Sequence, residues 1–335
     1  EGNLRGMKFT NCSNIGTVTA TAGAAAGIVA GHDSGYYDLE NCYNGGTITA
    51  HDGTASGLAN ASLNAVNCTN SGNVTSTSGP ASGIIGTGSA TRCVNTAAAK
   101  IEGSSGAAGI ASSANSGSMV EFCANFGKVT TTAGSGYGIA SQGTVKNCFT
   151  YNNEAHAPVA GVTGRNCIVT NSYYLANSKD EFPSTMGGEW ASADDFASGK
   201  VAWGVDGGTG AHANYWTQGA NNYPVPIGEG TSTSYYRAKA ECGTGGAVSI
   251  KSSRNFTGDA DNAVYGPKGM SVTVTATPMD NTYALKSMTV QLPVGTAAKS
   301  ISNPATFTMP NEGNVLVTAT FGSATPSGGG GYYYG

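Results

Sequence analysis

Apolar positions along the first half of the chain fall into a pattern that resets every 25 to 30 residues. The stretch "NCSNIGTVTATAGAAAGIVAG" from Asn11 returns as "NCYNGGTITAHDGTASGLA" from Asn41 and as "NCTNSGNVTSTSGPASGIIG" from Asn67. Seven cysteines mark the units: Cys12, Cys42, Cys68, Cys93, Cys123, Cys148 and Cys167, spaced 30, 26, 25, 30, 25 and 19 residues apart. A second asparagine follows two residues after each of the first five, at Asn14, Asn44, Asn70, Asn95 and Asn125. A β-branched residue stands six after the cysteine in four units, at Val18, Ile48, Val74 and Val129. A third anchor follows a glycine, at Ile28, Leu58, Ile84, Ile110, Ile139 and Val162.

A repeat of this length admits helical, leucine-rich or β-helical arrays. The units are rich in Thr, Val, Gly and Asn and hold no run of helix formers, and leucine is scarce. A β-solenoid remains. About seven parallel coils are expected over residues 1–175, each with three short strands around the Cys, the Val-Thr and the Gly-Ile, and with Gly and Asn at left-handed corners. Equivalent residues then stack ~4.8 Å apart as ladders. Cys, Val/Ile and Ile/Leu point inward, and the Asn after each Cys forms a corner ladder of bonded amides. The cysteines read as small buried hydrophobes. Disulfides fit poorly, because in-register neighbours have the wrong dihedral geometry, and the absence of C-x-x-C argues against zinc.

The pattern changes near residue 176. "SADDFASGKVAWGVDGG" predicts a helix over about 193–205, with Ser192 as N-cap, Asp195 in the capping-box position and Gly207-Gly208 as terminator. Residues 176–230 are read as a cap over the last coil, since an open solenoid end is an exposed strand edge. Trp190, Trp203, Trp216 and Tyr223 are its expected packing anchors, with sugar stacking as the alternative role. Residues 231–322 alternate with period two in "SVTVTATP", "ALKSMTVQL" and "NVLVTATF", which predicts a small antiparallel, sandwich-like β domain. Residues 323–335, "SATPSGGGGYYYG", read as a linker, with Tyr332, Tyr333 and Tyr334 as a contact point for a neighbouring molecule.

Composition narrows the functional classes. Charged residues make up 11% of the 335, Gly numbers 51, and the net charge is −4. No basic stripe points to nucleic acid, and no apolar run is long enough for a helical membrane span. The carboxylates of the repeat region, such as Glu102 and Glu121, share no register, so no catalytic pair is visible and no enzymatic activity is expected. His32-Asp33 and His51-Asp52 read as polar loop residues. "GDADNAV" carries the alternating Asp259 and Asp261 of a calcium loop without its other ligands, so a surface loop is favoured and calcium is the weaker reading. No other cofactor is implied.

The repeat units resemble the GLUG-type repeats of large bacterial surface proteins. "DDFASGKVAWGVDGG…NYWTQGANNYPVP" resembles the segment that closes such arrays, and "VTVTATPMDNTYALKSMTV…ATFTMPNEGNVLVTATF" resembles an all-β repeat module of bacterial cell-wall proteins. The resemblance implies an extracellular protein, secreted or held at a bacterial surface, and no particular ligand. The expected function is structural or adhesive: a solenoid that displays a β module or assembles with itself into a fibre. The alternative is a monomeric adhesin for host glycans or proteins. A carbohydrate-active β-helix enzyme is the weaker third.

Overall fold

The computed structural model describes residues 6–31, 37–113, 118–151, 159–160, 167–176, 187–208, 215–227 and 234–324. Val162, the His32-Asp33 pair and the Tyr332, Tyr333 and Tyr334 run lie outside these residues. The chain is mostly β, and it forms two compact units. One comprises residues 1–197 with 204–208, the other residues 198–203 with 209–335.

The first unit is a parallel β-solenoid of about six turns. Each regular coil contributes to four ladders rather than three. In the second coil these are Tyr37–Glu40, Tyr43–Asn44, Ile48–Ala50 and Ala55–Ser56. Each pairs in register with its equivalents above and below, as in Val18↔Ile48↔Val74↔Ile101↔Val129. The extra strand arises because the segment around each cysteine bends sharply. The residue just before the cysteine takes a left-handed conformation, with φ of 56° at Asn11, 53° at Asn41 and Asn67, and 54° at Asn147. Asparagine tolerates this region better than most side chains, which explains its recurrence there. Arg92 and Phe122 occupy the same corner in two coils without that advantage.

The left-handed corner therefore belongs to the Asn before the Cys. The Asn after the Cys lies in a short strand, and Asn44, Asn70, Asn95 and Asn125 are buried. The Gly-Ile anchor likewise sits just beyond its expected strand. The strand is the preceding Ala25–Ala26 or Pro80–Ser82, and Gly27-Ile28 and Gly83-Ile84 form the next bend. Ile28 N–H still donates to Leu58 O (2.9 Å), and Leu58 N–H to Ile84 O (2.9 Å), so this anchor stacks in register too. Leu58, Ile84, Ile110 and Ile139 are fully buried in the core, each contributing roughly 1.5–3 kcal/mol of burial.

The second unit holds a five-stranded sheet in the order Ala263–Pro267, Tyr235–Cys242, Val315–Ser323, Tyr283–Gln291, Lys299–Ser300, and a three-stranded sheet of Gly246–Ser252, Ser271–Pro278 and Ala305–Thr308. Alternating apolar residues from both build one core, including Ala238, Ile250, Val272, Val274, Val290 and Val317. The pairing is antiparallel throughout except between Tyr235–Cys242 and Val315–Ser323, which run parallel. Those strands are the first and last of these two sheets in chain order, so no hairpin turn constrains their relative direction.

Candidate functional site

The most constructed feature of the solenoid is its column of side-chain amides. Asn14 Nδ2 donates to Asn44 Oδ1 (2.8 Å), Asn44 to Asn70 (2.7 Å), Asn70 to Asn95 (2.8 Å) and Asn95 to Asn125 (2.8 Å). Each of Asn14, Asn44, Asn70 and Asn125 also clasps the residue two positions on. Asn70 Nδ2 donates to Gly72 O (2.9 Å), and Gly72 N–H returns to Asn70 Oδ1 (3.3 Å). Asparagine alone among the small side chains supplies donor and acceptor in one plane, so it closes its own turn and reaches the next coil with the same group. Asn125 donates to Thr150 Oγ1 (3.4 Å), where threonine takes the asparagine's place.

The repeat's glycines follow from this column. A Cβ at Gly57 would collide with the Gly83 carbonyl oxygen and the Asn70 amide, and one at Gly72 with the Gly46 carbonyl and the Asn44 amide. Neither position has a positive φ. What selects glycine here is the close approach of one coil to the next.

A thiol column runs beside the amides. Cys42, Cys68, Cys93, Cys123 and Cys148 are buried, while Cys12 is half-exposed. Each Sγ–H in the ladder reaches the carbonyl oxygen two residues earlier, from 3.1 Å at Cys148 to 3.6 Å at Cys12. Cys93 N–H and Cys123 N–H donate to the next thiol, at 3.4 and 3.3 Å. All eight cysteines are free. Desolvation pushes the Cys42 thiol up to about 11, and raises Cys93 and Cys123 well above the ordinary thiol range. At Cys68 the hydrogen bond with Cys93 is the leading cause, with burial adding to it. Thiols held this far from ionisation are poor nucleophiles and poor metal ligands.

Cys167 does not belong to this column. Ile168–Thr170 pairs with Thr144–Lys146, which aligns Cys148 with Ser172. Cys148 N–H donates to Ser172 Oγ (3.1 Å), and that hydroxyl donates to Thr170 O (2.9 Å), reproducing the cysteine's bonds. Cys167 is half-buried, its thiol directed at Ser141 O (3.6 Å). Its spacing of 19, the shortest of the set, was the available warning. Ile101 shows the opposite error. It fills the rung between Val74 and Val129, and was missed because it stands eight rather than six residues after its cysteine.

At the far end of the solenoid the final ladder gains a strand. Glu189–Ala191 pairs parallel with Tyr173–Leu175, and Trp190 Nε1–H donates to Ala176 O (3.1 Å). The expected single helix is two short ones, α1 (Ala193–Ser198) and α2 (Lys200–Val205), divided at Gly199, whose φ is +93°. Ser192 caps α1: its Oγ accepts from Asp195 N–H (3.1 Å), and Asp195 Oδ2 accepts from Ser192 N–H (2.9 Å). Phe196 of α1 packs edge-on against Phe149 and Tyr151, on the outer surface of the last described coils.

The tryptophans do not form one cluster. Trp190 packs on the solenoid core. Trp203 sits in the second unit with Tyr235 and Tyr265. Trp216 is buried in that unit in a hairpin of Trp216–Gln218 with Pro224–Pro226, and Tyr223 is half-buried at its turn, where its hydroxyl accepts from Asn221 Nδ2 (3.2 Å). A shared aromatic platform for sugar is therefore absent among the described residues.

The carboxylates also find structural partners. Glu40, Glu102 and Glu121 pair with Lys8, Lys100 and Lys146. Asp259 is engaged by its own loop: Oδ1 accepts from Asp261 N–H (3.0 Å) and Ala263 N–H (3.1 Å), and Oδ2 from the Tyr265 hydroxyl (2.9 Å). Lys200 Nζ lies 3.5 Å from Oδ2. Asp259 thus serves as a turn anchor facing a lysine, an arrangement that opposes calcium binding.

These features define a β-solenoid protein with an appended antiparallel β unit. No protein-family profile matches the chain, and no curated protein matches it. Among solved structures it is similar to a protein of Bacteroides ovatus described as a "putative immunoglobulin A1 protease", at 20% identity and a TM-score of 0.31. The match covers 65% of this chain and 57% of that one, so the chain spans little more than half of that protein's length. A likeness this slight carries no functional argument.

Proposed function

We propose that this is a non-catalytic, extracellular structural protein of a bacterial surface, in which the solenoid is a stiff spacer. The observation that carries the reading is the unbroken amide column through five consecutive coils. Interior positions in a β-helix can serve chemistry or cohesion, and here every rung from Asn14 to Asn125 serves cohesion. Thiols buried beyond easy ionisation support the same reading, because they withstand an oxidising exterior without disulfides. The test pairs electron microscopy and light scattering of the purified chain with surface labelling of intact cells of the source organism. Uniform particles or ordered filaments, together with labelling that protease treatment of intact cells removes, support the role. Intracellular confinement, or turnover of a polysaccharide or protein substrate by the purified chain, overturns it.

A further inference from the structure

Along the Tyr235–Cys242 strand, Tyr236, Ala238 and Ala240 are buried, while Arg237, Lys239 and Glu241 alternate with them on the opposite, outer face. Beside them lies Leu316, paired with Lys239 across to the Val315–Ser323 strand. With Glu312 and Asn314 they line an open groove of about 590 Å³, within the ~300–1,000 Å³ range of ordinary small-ligand sites.

The donors of this groove are unequally occupied. Lys239 Nζ is 2.6 Å from Glu241 Oε1, so that pair is internally neutralised. Arg237 has no carboxylate partner among the described residues. Its guanidinium carbon stands 5.3 Å from the centroid of the Trp203 ring, which orients the group without neutralising it. Asn314 is fixed as well. Its Oδ1 accepts from both Trp203 Nε1–H (3.1 Å) and Arg237 N–H (2.9 Å). Both bonds end on the oxygen, so the amide orientation is determined, and its NH₂ donors have no acceptor among the described residues. A charged fork and a neutral donor are thus held ready in one groove wall.

We propose that this groove binds the carboxylate of an acidic sugar. The fork geometry of Arg237 matches a carboxylate in two parallel hydrogen bonds, with Asn314 as a further donor. Glu241 and Glu312 disfavour a dianion such as phosphate, yet accept bonds from sugar hydroxyls. Leu316 and the half-exposed Val294 (51%) offer apolar surface to a sugar's C–H face. The site is built wholly from the second unit and stands or falls independently of the spacer role.

The test is a titration of the full chain, followed by amide NMR, with 3′-sialyllactose, a glucuronic-acid-terminated disaccharide, lactose and sodium phosphate. Saturable shifts at Arg237, Asn314 and Leu316 with either carboxylated sugar, at least tenfold tighter than with lactose, are expected. Arg237→Gln should weaken binding at least tenfold. Asn314→Asp retains the acceptor for Trp203 while replacing the donors with a negative charge, and should do the same. Glu312→Gln should leave binding equal or stronger. Each variant's spectrum reports its own folding. Equal binding of lactose, displacement by equimolar phosphate, unchanged affinity in well-folded Arg237→Gln, or no saturable response to either carboxylated sugar would each overturn the proposal.

Discussion

Replacing Asn70 with alanine tests the amide column at its centre. Asn70 receives Asn44 Nδ2 at 2.7 Å, donates to Asn95 Oδ1 at 2.8 Å, and clasps Gly72 through both N–H and C=O. Truncation leaves Asn95 Oδ1 and Gly72 O short of partners in a site where Asn70 is wholly buried, while Gly72 N–H keeps its bond to Asn44 O (3.3 Å). Asn44 Nδ2 keeps its bond to Gly46 O (3.0 Å) and suffers less. At about 1–3 kcal/mol for each of these two buried polar groups left unsatisfied, and allowing for partial relaxation, Asn70→Ala should cost roughly 2–4 kcal/mol. Asn14→Ala provides the control. That residue is half-exposed and, among the described residues, its Oδ1 accepts only from Gly16 N–H, so its loss should cost about 1 kcal/mol. Because the chain has two units, global melting would mix their transitions. Hydrogen–deuterium exchange of peptides from the second to fourth coils, read against peptides from 263–323, isolates the solenoid. Equal protection losses in the two variants, or a cost below about 1 kcal/mol for Asn70→Ala, would refute the argument that the column is a cohesive element.

Gly72→Ala and Gly57→Ala should each destabilise the solenoid by at least ~2 kcal/mol, since the new methyl meets backbone rather than a movable side chain; Gly16→Ala, whose nearest contact is 3.7 Å away, should be tolerated in the same chemical-denaturation assay. Alkylation followed by mass spectrometry at pH 8 should modify exposed Cys242 first, half-buried Cys12 and Cys167 more slowly, and the five buried thiols only on unfolding. Unfolded thiols ionise near ~8.5, whereas folded Cys42 keeps its proton to about 11. Thiol burial therefore leaves the solenoid fully stable below ~8.5 and progressively less so as pH rises from there through 11; Cys93→Ala should flatten that decline in pH-dependent denaturation. Gly199→Ala places a side chain at φ +93° against the Tyr235 ring, and should lower the melting temperature of the second unit measured by calorimetry.

The solenoid was legible in sequence because its rungs are chemically strict. Only asparagine closes the amide column, and only glycine fits between coils, so Asn44, Asn70, Gly57 and Gly83 repeat visibly. The strand count was not legible. A four-sided coil differs from a three-sided one through a single left-handed residue before each cysteine, and Arg92 and Phe122 conceal even that mark. Spacing failed wherever loops change length, misplacing Cys167 and hiding Ile101. Proximity in sequence misled at the tryptophans, because Gly199 breaks the helix and the chain divides between two units there. The groove around Arg237 left no sequence signal, since its residues come from three separated segments and the parallel pairing of Tyr235–Cys242 with Val315–Ser323 brings two of them together.

The amide column also has a direction. From Asn14 to Asn125 every side chain donates toward the later coil, and from Asn44 onward each accepts from the earlier one. The amide dipoles therefore add head to tail, as peptide dipoles do along an α-helix, and each bond polarises the next. Among the described residues the column runs from Asn14, whose Oδ1 accepts from its own Gly16 N–H, to the hydroxyl of Thr150. A run of near-identical rungs is thereby given a polarity, so each coil meets one neighbour as a donor and the other as an acceptor and cannot be seated upside down.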